Sequence, residues 1–517
     1  MTLILRLFPI LLLLRLNAAP AAAQTTLRVA VVSDLTVLDP IWTTSYTTRD
    51  YGYLVYDTLF AQDANFQVQP QMVDRWTVSE DGKNYSFTLR DGLLWHDGTA
   101  VTAADCIASL RRWMQRDATA RLLAAHVTGI DEVSDSEFRI KLDRPVGFLL
   151  EALAKSGSNV PFMMPRRVAE TDPMRQITST VGSGPFIFQR DEWRSGSRIV
   201  FTRNPNYLPR AEPASGLAGG KRALFDRIEW LIMPDAATTV NALRNGEVDM
   251  IQEAPYDLLP LLSRNRAIRV QIANEIGNQG LLRMNHSQPP FNNLQIRRAV
   301  AYALRQQDLM EGGIGVAEYF RTCDAMFGCG APFQVSDGAT GLLRGNLSRA
   351  RELLAQGGYD GTPVVILAAS NIPRFAAFSQ VTAQALRAIG MNVDLRMMEW
   401  NQVVTSRAQR TGWNLWISNL AGSDIINPLS NFAVTGTCEG GFPGWSCDPP
   451  MEQLRRDFAL EADPARSREL AARIQARAFD NVSYLPLGQF TIPIAYRAEL
   501  SGVLPAPVLV FWNIGRR

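Results

Sequence analysis

Short apolar strands alternate with amphipathic helices along almost the whole of this chain, a pattern that admits little besides an α/β architecture. Thr26–Val32 reads as a strand, with Leu27-Arg28-Val29-Ala30-Val31-Val32 at its heart. Tyr85–Arg90 alternates polar and apolar side chains as a half-buried strand does. Thr102-Ala103-Ala104-Asp105 is a capping box, hydroxyl and carboxylate satisfying free amides where a helix begins. Asp235 caps a helix expected over Ala236–Arg244, which Gly246 stops before a strand Val248–Ile251. Asp463-Pro464, an N-cap and a first-turn proline, opens a long helix to about Phe479. Gly357-Gly358 and Gly390 end helices that lead into strands at Val364–Ala369 and Val393–Met397.

The first 23 residues stand apart. Arg6 precedes the apolar stretch Leu7–Leu16, and Ala21-Ala22-Ala23 precedes Gln24, the order of a cleaved secretory leader. About ten apolar residues are too few to span a bilayer, which takes roughly 20. No Cys precedes Cys106, so the leader offers no lipid acceptor. A periplasmic protein with residues 1–23 removed is the expectation. The remainder far exceeds the roughly 250–300 residues at which one core stops growing, so at least two lobes are expected.

Without Arg6 and Arg15 the chain carries 50 basic and 50 acidic side chains, a balance that argues against nucleic acid as a partner. Five cysteines in an oxidising compartment are expected to pair locally, Cys323 with Cys329 and Cys438 with Cys447, leaving Cys106 buried. Neither pair has the spacing of a metal site, and His96, His126 and His286 are scattered, so no metal and no cofactor is expected.

Several segments in order carry a more specific message. Leu38-Asp39-Pro40 is followed by Tyr56-Asp57-Thr58-Leu59-Phe60, then Asp81–Gly92, Trp95-His96-Asp97-Gly98 and the capping box. Gly182-Ser183-Gly184-Pro185-Phe186, Arg203–Tyr207, Leu243–Asp249 and Ile296–Leu304 come later, then Ala350–Tyr359 and Gln380–Val393. This succession resembles the bacterial extracellular solute-binding proteins of family 5, the dipeptide-, oligopeptide- and nickel-binding proteins of ABC importers. Most of these residues have plain structural roles. Phe87, Trp95 and Phe186 read as core, and His96 as a turn residue.

The resemblance implies a two-lobed periplasmic-binding-protein fold with an additional subdomain in the first lobe. Lobe I would span 24–280, with its subdomain at about 62–180. Lobe II would span 281–487, and 488–517 would return to lobe I. The protein would be a monomer without catalytic residues. It would capture a small peptide-like ligand between closing lobes and deliver it to the permease subunits of an ABC importer.

In peptide-binding relatives an Asp after a Gly-Trp strand pairs with the ligand's ammonium group. Here Gly412–Ser418 is that strand, and Asp424 stands four residues before Pro428 as the anchoring Asp does. Asn427 replaces a second Asp, and a capping or solvated-loop role is the alternative for Asp424. Trp400, in Glu399-Trp400, matches a cleft-proximal segment and would stack on the ligand unless it is purely structural; Trp416 is counted with it. Arg374 is displaced from the position at which relatives bind a carboxylate. Tyr46 and Asn278 are assigned to the first lobe's side by position alone. The rival solutes are a longer peptide, an opine-like conjugate, an oligosaccharide or a metal chelate. Other rivals are a sensor subunit on the same fold and an exported hydrolase, for which no nucleophile elbow or zinc motif is found.

Overall fold

The structure is a computed structural model that describes residues 24–439, 441–461 and 463–517. The expected leader, 1–23, lies outside the described residues. Two large mixed sheets organise the chain. The first has seven strands in the order Ile268–Ile272, Pro493–Arg497, Met250–Ile251, Thr26–Val31, Arg227–Ile232, Arg198–Arg203 and Phe186–Phe188. Thr26–Val31 runs parallel to both neighbours, with Leu27, Val29, Ala30 and Val31 buried and Thr26 and Arg28 half-buried. Leu27, Val29 and Val31 join one apolar cluster, while Ala30 joins another with Val240, Leu243 and Leu262. The period-two alternation of the strand thus serves two helical layers at once.

The second sheet has six strands in the order Phe320–Arg321, Leu485–Phe490, Asn278–Met284, Leu415–Ala421, Val364–Ala369 and Val393–Met398. All seven residues of Leu415–Ala421 are buried. That strand begins three residues later than the expected Gly412 start and runs three residues past Ser418. Asn414 instead turns its amide to the Pro289 carbonyl and takes the Val365 amide, which sets the register of the strand that follows.

Among the described residues two passages join the sheets, 273–277 and 491–492, and they run side by side because Asn278 pairs with Phe490. Gly277 makes that approach possible. Its φ is +70°, and an added Cβ would lie 2.3 Å from the Phe490 carbonyl oxygen. The chain therefore folds into two lobes that share a narrow double crossing.

A four-stranded antiparallel layer, in the order Val73–Val78, Asn84–Leu89, Glu137–Leu142 and Val127–Ser134, is the additional subdomain. The helix Ala103–Arg116 covers it, its capping box complete: Asp105 accepts from the Thr102 amide at 2.8 Å and the Thr102 hydroxyl accepts from the Asp105 amide. Phe87, Trp95 and Phe186 are buried core residues. His96 is held neutral, burial lowering its pKa to about 4. Its ring lies against the Gly184 carbonyl at 3.1 Å and takes the Gly182 amide at 3.3 Å. The other caps form as the sequence indicates. Asp235 opens Ala236–Asn245, and Asp463 opens Pro464–Asn481. The strand expected from Val248 pairs only over Met250–Ile251. Cys323–Cys329 and Cys438–Cys447 are disulfide-bonded, and Cys106 is a buried free thiol.

Candidate binding cleft

A cavity of about 160 Å³ lies between the lobes, next to the double crossing, and both lobes line it. From the first lobe the helix Tyr46–Val55 contributes Tyr46 and Arg49, three residues apart and so on one face. The Arg49 guanidinium lies 4.5 Å from the Tyr46 ring centre and donates to Asp50 through Nε at 2.9 Å and Nη2 at 2.8 Å. Asp50 also accepts from Gln252 at 3.0 Å. Burial raises its pKa and Arg49 pulls it back, leaving it above the usual carboxylate value.

From the second lobe, Arg374 stands in the first turn of the helix Pro373–Ala388 and crosses to Glu253 of the first lobe. Its contacts are Nη1 to Oε2 at 2.5 Å and Nη2 to Oε1 at 3.3 Å. The helix Trp400–Arg407 places its first and last residues in the same wall, two turns apart. Arg407 Cζ lies 4.2 Å from the Trp416 ring centre, 5.4 Å from that of Trp400 and 5.8 Å from that of Phe442. Phe442 comes from the loop closed by Cys438–Cys447, so that disulfide holds a loop of the cleft wall. Burial lowers the Arg407 pKa to about 10, still well charged at neutral pH.

Tyr46, Asn278, Arg374, Trp400 and Trp416 thus line one cavity. Asn278 accepts from the Asn419 side-chain amide at 3.1 Å. Asp424 and Asn427 are placed elsewhere. Asp424 lies in the first turn of the short helix Gly422–Ile425, is 0% exposed and does not line the cavity. One carboxylate oxygen accepts from the Ser158 amide at 2.7 Å, the other from the Tyr46 hydroxyl at 2.7 Å and the Ser158 hydroxyl at 3.3 Å. The Tyr46 oxygen in turn accepts from the Ala421 amide at 2.6 Å. This is a clasp between lobes, made close by Gly157, where an added Cβ would fall 2.0 Å from Asp424 Oδ1. The solvated-loop alternative for Asp424 is therefore not what is found. Burial raises its pKa, and burial together with the Asp424 charge keeps the Tyr46 phenol protonated as a donor.

Asn427 closes a turn, accepting from the Leu429 amide at 2.8 Å and the Ser430 amide at 2.9 Å. It borders a separate groove of about 570 Å³ with Phe66, Phe333 and Phe458. Sequence reading missed Arg49, Asp50, Glu253 and Arg407. A signal existed for one of them: Arg407 follows Trp400 by seven residues, a same-face spacing on a helix. Among the described residues no group of three or more His, Cys, Asp or Glu is arranged to hold a metal ion, and no helix is long and apolar enough to cross a membrane.

Residues 67–442 match the family described as bacterial extracellular solute-binding proteins, family 5. The probable peptide ABC transporter periplasmic-binding protein y4tO of Sinorhizobium fredii is 37% identical over 511 residues, 97% of this chain and 95% of that protein. Among solved structures, a Pseudoalteromonas dipeptide-binding protein in complex with Met-Leu superposes with a TM-score of 0.81 at 19% identity, covering 95% of this chain and 100% of that one. The A. tumefaciens protein AgaA in complex with agropinic acid gives 0.80 at 20% identity, covering 95% and 99%. At these identities the superpositions establish the fold.

Proposed function

The chain belongs to family 5 of the bacterial extracellular solute-binding proteins, the periplasmic substrate-binding components of ABC importers, and on that footing we propose that it captures a small peptide-like solute by closing its two lobes. The observation that carries this reading is the cavity lined by both lobes and bridged by Tyr46–Asp424 and Arg374–Glu253, between lobes joined by a double crossing. Such a crossing is the natural hinge of a closing receptor. Lobe I then comprises 24–272 and 493–517 and lobe II 278–490, the hinge being 273–277 and 491–492; the pairing of the strands supports this division. Residues 1–23 are the leader removed on export, and the mature protein works as a monomer that hands its solute to the permease subunits. Peptide is favoured as the solute class because a relative 37% identical over 97% of this chain is a probable peptide ABC transporter periplasmic-binding protein.

Native mass spectrometry of protein freshly isolated from the periplasm tests this. The expected spectrum shows one small solute per chain, lost on denaturation and rebound with its mass unchanged. A solute whose mass changes on incubation with the protein would make the chain an enzyme and overturn the reading.

A further inference from the structure

The polar groups of the cleft are unequally spent. Its carboxylates are engaged: Asp50 by Arg49 and Gln252, Glu253 by Arg374. Asp424, behind the wall, is engaged by Tyr46 and Ser158. What is left over donates. Arg407 is 6% exposed and lines the cavity, yet it meets no carboxylate, carbonyl or hydroxyl among the described residues, only the faces of three aromatic rings. Arg49 Nη1, Arg374 Nε and Trp416 Nε1, from residues lining the same cavity, are buried without an acceptor among the described residues. Ring faces offset only part of the cost of desolvating a guanidinium, so a site of this kind is complete only with an anion in it. The planar guanidinium fork suits a carboxylate, which it can grip through two parallel bonds.

The amine side of the argument is equally direct. The Tyr46 hydroxyl stands on the Asp424 carboxylate and also takes the Ala421 amide, so the protein's own phenol fills the place an incoming ammonium would need. Resting on the solute-binding reading above, we propose that the cleft selects its solute by a carboxylate docked on Arg407 and requires no free ammonium group. The chemical class is a peptide-like acid whose nitrogen is substituted: an N-acyl or N-alkyl amino acid, or an N-blocked short peptide.

Four matched sets of short peptides decide it. They share side chains and differ only at the ends: N-acetylated acids, free zwitterions, N-acetylated amides and free-amine amides. Mature protein is incubated with an equimolar mixture, separated from unbound compounds by gel filtration, and the retained species are identified by mass. N-acetylated acids are expected to be retained at least as well as the zwitterions, and both amide sets at least about 100-fold less. Arg407→Met should remove the preference for acids, and Arg407→Lys should keep part of it. Should Arg407→Met fail to fold by circular dichroism, the acid and amide pair on the wild-type protein decides the matter alone. Retention that requires the free amine, or an acid preference that survives Arg407→Met, would overturn the carboxylate-selective cleft while leaving a solute receptor. Retention of nothing would count against both.

Discussion

Asp424→Ala is expected to weaken solute capture by about two orders of magnitude without the ligand touching the mutated residue. In the closed form the substitution strands the Tyr46 hydroxyl and the Ser158 amide, both donors to Asp424 across the lobe boundary. Each lost bond to a charged acceptor is worth about 1.5–3 kcal/mol, whereas in an opened cleft water would replace the carboxylate at little cost. The loss therefore falls on closure, and through closure on affinity. Asp424→Asn keeps an acceptor and should cost about tenfold. Adding Tyr46→Phe to Asp424→Ala should cost little more, because both changes remove one contact. Calorimetry with a retained N-acetylated acid measures the cycle. If Asp424 instead paired with a ligand ammonium, acetylating the ligand would cost the wild-type protein as much as the mutation does and cost the mutant nothing further. The raised pKa of the buried Asp424 gives a further sign. Closing takes up protons, so the contribution is full below the ordinary carboxylate pKa and is lost as pH rises through the raised one. Wild-type closure should tighten on acidification, and Asp424→Asn should lack that component.

Asp39→Ala is expected to destabilise the first lobe by about 3–5 kcal/mol, the cost of leaving a buried cation without its partner. Asp39 is 0% exposed and accepts from Arg112 at 2.7 Å, from the Ile177 amide at 3.1 Å and from the Ile41 amide at 3.2 Å. Arg112 reaches on to the Arg175 carbonyl at 2.9 Å and to those of Thr171 and Asp172. One ion pair thereby binds the segment after the first strand, the subdomain helix Ala103–Arg116 and the chain's return near Ile177. Denaturant titration followed by circular dichroism should show the transition moved to lower concentration. Removing both charges, with Asp39→Ala and Arg112→Met together, should recover part of the loss, since no charge is then left unpaired. A double variant as damaged as the sum of the two singles would show that the pairing is not what matters.

Leu38-Asp39-Pro40 shows how the sequence was readable and where reading stopped. The motif marked the fold, but its physical work depends on Arg112, which no local pattern connects to it. Features settled within a few residues were legible: the caps at Thr102, Asp235 and Asp463, and the two disulfide loops. The cleft is a different kind of object. Tyr46 meets Asp424 across 378 positions of sequence, and Arg374 meets Glu253 across 121. A side chain's residue type says that it can carry a charge; only its distant neighbours decide whether that charge is spent or free. For this reason Asp424 reads as a ligand anchor in sequence and stands as a lobe clasp in the structure. Asn427 is a different case, because Asn before Pro at a turn commonly bonds its own backbone two residues on, a local signal that was available.

Capture by closure is tested most directly by X-ray scattering from the wild-type protein with and without a saturating N-acetylated acid that the protein retains. The expected result is a smaller radius of gyration in the bound form, with Asp424→Ala needing about 100-fold more ligand to reach it. A ligand that binds tightly at one site per chain while the two scattering curves superimpose would contradict capture between closing lobes.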